Sequence, residues 1–284
     1  MSMIRKVKAI YKSTPTIEGA GVHLNRAFGF NEVPSMDPFL LLDNFHSSNP
    51  ADYVKGFPWH PHRGIETITY VLHGEVEHDD SMGNKGIIRA GDIQWMTAGS
   101  GIIHQEMPAG EKTGLLWGFQ LWANLPAANK MMAPRYREIK KENIPEIVTN
   151  GGAKVKIICG GIDGVRGPVR DIVSDPEYLD VSLPAKSQFR HTVKRGHQLL
   201  AYVIEGSGRF DEEQNHQVGP DNMVIFDDGD EVVVRTDDRP LRFLLISGKP
   251  IREPVAWYGP IVMNTEDELK TAFEEYDNGT FIKH

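Results

Sequence analysis

Gly56-Phe57-Pro58-Trp59-His60-Pro61-His62-Arg63-Gly64-Ile65-Glu66 places two histidines two residues apart, just ahead of a β-branched and aromatic run over 67–72. Side chains two apart on an extended strand point to the same face, so His60 and His62 can aim at one point. A second pair with this spacing, His104 and Glu106, follows the turn Thr97-Ala98-Gly99-Ser100-Gly101. Either pair alone is weak, because a polar pair beside a turn is usually just solvated. Brought onto neighbouring strands, the two pairs put three imidazoles and a carboxylate around one centre, a donor set for a divalent transition metal.

Working outward, short β-branched and aromatic runs separated by Gly, Asn, Asp and Pro recur along most of the chain, the pattern of barrels or sandwiches. Gly74, Gly91, Gly99 and Gly101 fall where strands should end and the backbone must turn. The unit is also repeated. Tyr70-Val71-Leu72-His73-Gly74 is echoed by Tyr202-Val203-Ile204-Glu205-Gly206, and the turns Gly91-Asp92 and Gly219-Pro220-Asp221 follow in turn. Two related barrels are expected, an all-β architecture. Residues 125–146, with Pro126, Pro134, Pro145 and a charged run over 135–142, read as the connector, giving domains 1–134 and 135–284. The clearest helix is short and C-terminal: Thr265 and Glu268 form a capping box ahead of Leu269, Phe273 and Tyr276, and Gly279 stops it.

At this point the chain resembles the pirins of the cupin superfamily. The resemblance rests on Pro61-His62-Arg63-Gly64 with Glu66-Thr67, on the run from Gly91-Asp92-Ile93-Gln94-Trp95-Met96 to His104, on Pro38-Phe39-Leu40-Leu41-Leu42-Asp43, on Leu121-Trp122-Ala123-Asn124-Leu125-Pro126 and on Gly259-Pro260-Ile261-Val262-Met263-Asn264-Thr265. It implies two jelly-roll (cupin) barrels in tandem, with one metal in the first, held by His60, His62, His104 and Glu106. Strand parity alone leaves the carboxylate open, because Glu66 shares the parity of His60 and His62. The resemblance selects Glu106 and leaves Glu66 as a supporting group beside the site or a structural residue. In the second copy the four equivalent positions are Thr192, Lys194, Val232 and Val234, none of which is a ligand type, so that barrel is expected to be metal-free. His191 and His197 lie nearby without a second pair.

The donor set suits Fe(II), Mn(II), Ni(II), Cu(II) or Zn(II), and the resemblance favours iron. It implies a dioxygenase of the quercetinase type acting on flavonols, in which Glu106 is both ligand and catalytic base and the ring opens with release of carbon monoxide. An alternative is a metal- or redox-responsive regulator that acts through a protein partner. A third is an ion that only stabilises the barrel. Phe57, Trp59 and Gln120 are of types that line pockets, although the two aromatics fit core packing better.

With a formal net charge of -8 over 284 residues, the molecule as a whole repels nucleic-acid phosphates and anionic lipid heads, so neither is expected as a direct partner. The single cysteine, Cys159, cannot form an internal disulfide and reads as a small buried hydrophobe in a reducing compartment. No stretch approaches a membrane span or an apolar signal block, so the expectation is a soluble, cytoplasmic protein.

Overall fold

Strand Ile102–Ala109 shows how the sequence sets the barrel: Ile102, His104, Glu106 and Pro108 are buried, while the residues between them are more exposed. Two polar side chains thus take inward positions that an ordinary strand would fill with apolar groups. The computed structural model describes residues 2–33, 35–211 and 217–284, and structural statements below concern these. It forms two compact units, each built around its own sheet.

The unit that carries the candidate site comprises residues 14–141 and 251–284. Its larger sheet has seven antiparallel strands in the order Arg135–Ile139, Ile93–Thr97, Ile65–His73, Leu116–Asn124, Phe39–Ser47, Val22–Phe28 and Thr14–Glu18. A four-stranded sheet holds Phe57–His62, Ile102–Ala109, Glu75–Asp80 and Lys85–Arg89. Leu40, Ile65, Met96, Ala98 and Ile102 form one buried cluster with Val262 of the C-terminal segment. The chain turns sharply between the strands ending at His62 and beginning at Ile65. There Gly64 has φ +78, and a Cβ on it would sit 2.0 Å from the Val262 carbonyl oxygen. Only glycine fits that position.

The other unit comprises residues 1–13 and 142–250. Its seven-stranded sheet runs Val7–Lys12, Asn222–Phe226, Gln198–Gly206, Leu241–Gly248, Glu177–Leu183, Lys154–Cys159 and Glu146–Val148. The repeat inferred from Tyr70 and Tyr202 has a structural counterpart: both tyrosines are buried on a nine-residue strand near the middle of their sheets. Val232 and Val234 belong to this unit's apolar core, and His191 bonds to Glu177 at 2.7 Å.

The division expected at 134/135 is crossed at both ends. Strand Val7–Lys12 pairs with Asn222–Phe226, and the hairpin Ala256–Tyr258 with Ile261–Met263 and the helix Glu266–Asp277 belong to the first unit. Two apolar clusters account for this exchange. Val7 and Ile10 pack against the second unit's core, while Ile261, Met263, Leu269 and Phe281 bury together with partly buried Ile103. The helix begins with the expected capping box, Thr265 accepting from Glu268 N and Glu268 accepting from Thr265 N. No helix is long and apolar enough to cross a membrane.

Candidate metal centre

His104 pairs directly with His60 across the strands Ile102–Ala109 and Phe57–His62. This register brings His60, His62 and His104 together, with Nε2 of His60 at 3.1 Å from Nε2 of His62 and 2.9 Å from Nε2 of His104. His62 and His104 are fully buried and His60 is partly exposed. Glu106 joins the group through His104. His78, His104 and Glu106 form a second set of ligand atoms within 4.8 Å of one another, as the three strand-end histidines do. His104 is common to both sets, so Glu106 meets the other histidines through it with His78 as a fifth neighbour, but no one set holds all four residues expected from the sequence.

The proton positions decide what these nitrogens can do. His60 Nδ1 lies 2.8 Å from the Pro58 carbonyl oxygen and His62 Nδ1 lies 2.9 Å from that of Pro260. A carbonyl can only accept, so both Nδ1 atoms carry the hydrogen and both Nε2 atoms are bare lone pairs when the rings are neutral. Burial favours the neutral form, holding His60 below the ordinary imidazole value and His62 and His104 well below it. Two bare nitrogens 3.1 Å apart cannot hydrogen-bond to each other. A cation shared between them removes the conflict, so these residues fit a bound metal ion.

His104 has its own support. Its Nδ1 lies 3.4 Å from Nδ1 of His78, whose Nε2 donates to Asp80 at 3.1 Å. Asp80 is fixed in turn by the backbone N–H groups of Met82 and Asn84. With its proton on Nδ1, where His78 can accept it, His104 presents a third bare Nε2. Glu106 is aimed by Thr69, which donates to Oε1 at 3.1 Å, and by Gln120, which donates to Oε2 at 2.9 Å. Trp122 Nε1 donates to Gln120 Oε1, which fixes the direction of the amide.

The pocket beside the cluster has a volume of about 720 Å³ and is lined by residues that include His60, His62, Glu106, Gln120, Trp122 and Trp257. Trp122 stands edge-on to His62, with ring centroids 5.1 Å apart, and Trp257 and Phe30 extend the aromatic wall. Phe57 and Gln120 line this cavity. Trp59 is 49% exposed and serves neither core nor pocket.

Glu66 is placed elsewhere. It accepts from Thr97 Oγ1 at 2.6 Å and belongs to neither set of potential ligands. Counting parity from His62 to Glu66 fails because the chain turns at Gly64 between two strands. The parts not anticipated are His78, Asp80, Thr69 and the C-terminal hairpin with Pro260. The His78-x-Asp80 spacing is a local signal for the first two, whereas the hairpin's Gly259 to Thr265 motif marks the family without showing that Pro260 meets His62.

Residues 21–123 match the Pirin family and residues 178–282 match the Pirin C-terminal cupin domain. The chain belongs to the pirin family. Among other pirins, a pirin-like protein of Caulobacter vibrioides is 44% identical over 98% of this chain and 99% of its own. A Pseudomonas aeruginosa protein provisionally named a quercetin 2,3-dioxygenase is 41% identical, with 98% and 99% covered. The crystal structure of a quercetin 2,3-dioxygenase from Acinetobacter baumannii superposes with a TM-score of 0.90 at 31% identity, covering 98% of this chain and 99% of that one. The pirin fold thus extends over both barrels.

Proposed function

We propose that His60, His62, His104 and Glu106 hold one divalent transition metal, Fe(II), and that the protein is a dioxygenase of the quercetinase type acting on flavonols. The observation that carries this reading is the convergence of bare Nε2 lone pairs, 2.9–3.1 Å apart, at the wall of a cavity large enough for a three-ring substrate. Histidines with a carboxylate and an open side are the donor pattern of non-haem iron oxygenases. The names of the Pseudomonas and Acinetobacter relatives support the same substrate class.

When bound, the metal supplies a Lewis acid that lowers the pKa of a phenolic hydroxyl and a redox-active centre for dioxygen chemistry. The chain's own residues do the rest. Glu106, a carboxylate facing the cavity, takes the hydroxyl proton on a remaining lone pair of one of its oxygens, each of which already accepts one hydrogen bond, from Thr69 or from Gln120. Those two donors keep the carboxylate aimed while it changes charge. Trp122 and Trp257 offer flat faces on which a planar substrate stacks and from which water is excluded.

The test is direct. Full-length protein loaded with Fe(II) is incubated with quercetin while visible absorbance and oxygen uptake are followed, and metal content is measured by elemental analysis. Loss of flavonol absorbance matched by oxygen consumption is expected, and the His62→Ala, His104→Ala double variant should lose both metal and turnover. Turnover no greater than that of the double variant would refute the enzymatic reading. Full metal content in that variant would refute the site.

A further inference from the structure

The polar groups of the cavity are arranged in a line. The strand register sets Thr69 opposite Gln120, Gln120 opposite Asp43, and Asp43 opposite Arg26. Paired residues share a face, so these four side chains form one row across four neighbouring strands. Strands lie about 4.8 Å apart, which gives the row a span of about 14 Å. Its inner end, Thr69 and Gln120, holds Glu106. Its outer end is an ion pair in which Arg26 Nε and Nη2 donate to the two oxygens of Asp43, both at 2.8 Å, while Nη1 lies 2.9 Å from Glu18.

The charges at the outer end are unequal. Arg26 is the one guanidinium among the cavity's lining residues, and it faces two carboxylates, Asp43 and Glu18. Each Asp43 oxygen that accepts from Arg26 keeps a second lone pair. A hydroxyl arriving here finds acceptors that the guanidinium holds in place, while an anionic group finds no cation that is not already paired. The walls between the two ends include Leu24, Leu41 and Phe45, which suit the flat body of an aromatic molecule.

We propose that Asp43, steadied by Arg26, is a recognition point for hydroxyl groups at the far end of the substrate, so that the cavity selects uncharged planar polyphenols lying along the polar row. The inference rests on the site reading above in one respect: the near end of the ligand sits at the histidines and Glu106. It adds a specificity-determining residue one strand beyond Gln120 and two beyond Thr69, the groups that hold Glu106, and a preference set by charge.

The test uses binding, so that it can fail independently of catalysis. Affinities of full-length protein, with and without Fe(II), are measured without oxygen at pH 8 by quenching of tryptophan fluorescence. Three flavonols differ only on the distal ring: a catechol, an unsubstituted phenyl and a phenyl bearing a carboxylate. The catechol should bind about tenfold or more tighter than the unsubstituted ring, as expected for hydrogen bonds to a charged acceptor. The carboxylate should bind more weakly than either. Asp43→Asn should compress the catechol preference to a few-fold, and the comparison within the unaltered protein stands even if that variant folds poorly. Equal affinities across the series, tighter binding of the carboxylate or no binding of any member would overturn the proposal. Clear ring selectivity without oxygen uptake would uphold this subsite and remove the dioxygenase reading, whereas turnover without selectivity would do the reverse.

Discussion

Replacing His78 tests whether a buried chain of hydrogen bonds prepares the third histidine for its ion. His78 and His104 are both buried, with their Nδ1 atoms 3.4 Å apart, and Asp80 fixes the far side of the His78 ring. In His78→Leu the volume is roughly kept but the acceptor for the His104 Nδ1 proton is lost. His104 can then carry its proton on either nitrogen, and the form with Nε2 protonated cannot ligate. Losing an outer hydrogen-bond partner of a ligating histidine typically weakens metal binding about 10- to 100-fold. This corresponds to about 1.4–2.7 kcal/mol. His78→Gln keeps an amide oxygen that can accept from His104, and it should recover most of the loss. Competition against a chromophoric chelator gives the metal affinity of all three proteins, and circular dichroism reports whether each is folded. Equal affinities in folded wild type and His78→Leu, or no recovery in His78→Gln, would refute the relay.

Three further outcomes follow from contacts already described. With metal at 100 times its dissociation constant, chelation should remove about 2.7 kcal/mol of stability, which for a chain of this size lowers Tm by about 5–10 °C in calorimetry; no shift would count against a bound ion. Burial pushes the Asp43 carboxyl up to about 6 against the opposing pull of Arg26. A carboxyl with a folded value above its unfolded one adds stability that is complete below about pH 4 and lost as pH rises through about 6. Relative to Asp43→Asn, the unaltered protein should therefore lose up to about 3 kcal/mol between pH 4 and pH 7, read from denaturation midpoints at each pH, and a pH-independent difference would contradict it. Arg63 donates to the carbonyls of Ser100 and Phe281 and pairs with Glu275, all from a fully buried position. Arg63→Ala leaves those acceptors unpaired and should cost about 3–5 kcal/mol in urea unfolding; a loss under about 1 kcal/mol would show that the tail is anchored by other contacts.

Much of the centre was legible because strands have a fixed two-residue period. His60-x-His62 and His104-x-Glu106 each lie on one strand, so the spacing alone gave the shared face. The same rule misplaced Glu66 as an open candidate, since counting through Gly64 assumes that one strand continues where the chain has turned. His78 and Asp80 obey the two-residue rule as well, on strand Glu75–Asp80. A Glu-His-Asp-Asp run is polar enough for a solvated edge strand, and only the fold buries His78 and Asp80. The carbonyl of Pro260, the Trp257 ring and the strand Val7–Lys12 could not be assigned from spacing. Their partners lie far along the chain, and only packing of apolar residues such as Ile261 and Phe281 selects them.

That exchange of ends bears on how the protein is made. Emerging from the ribosome, residue 7 has to wait for residue 226 before its strand is paired, and the ring of His62 gains its Pro260 partner only after the entire second barrel has been synthesised. An excised first barrel ending near residue 134 would have its histidines but neither the hairpin that orients one of them nor the tryptophan that walls the cavity, so the candidate metal centre should mature only after residues 256–263 have been synthesised.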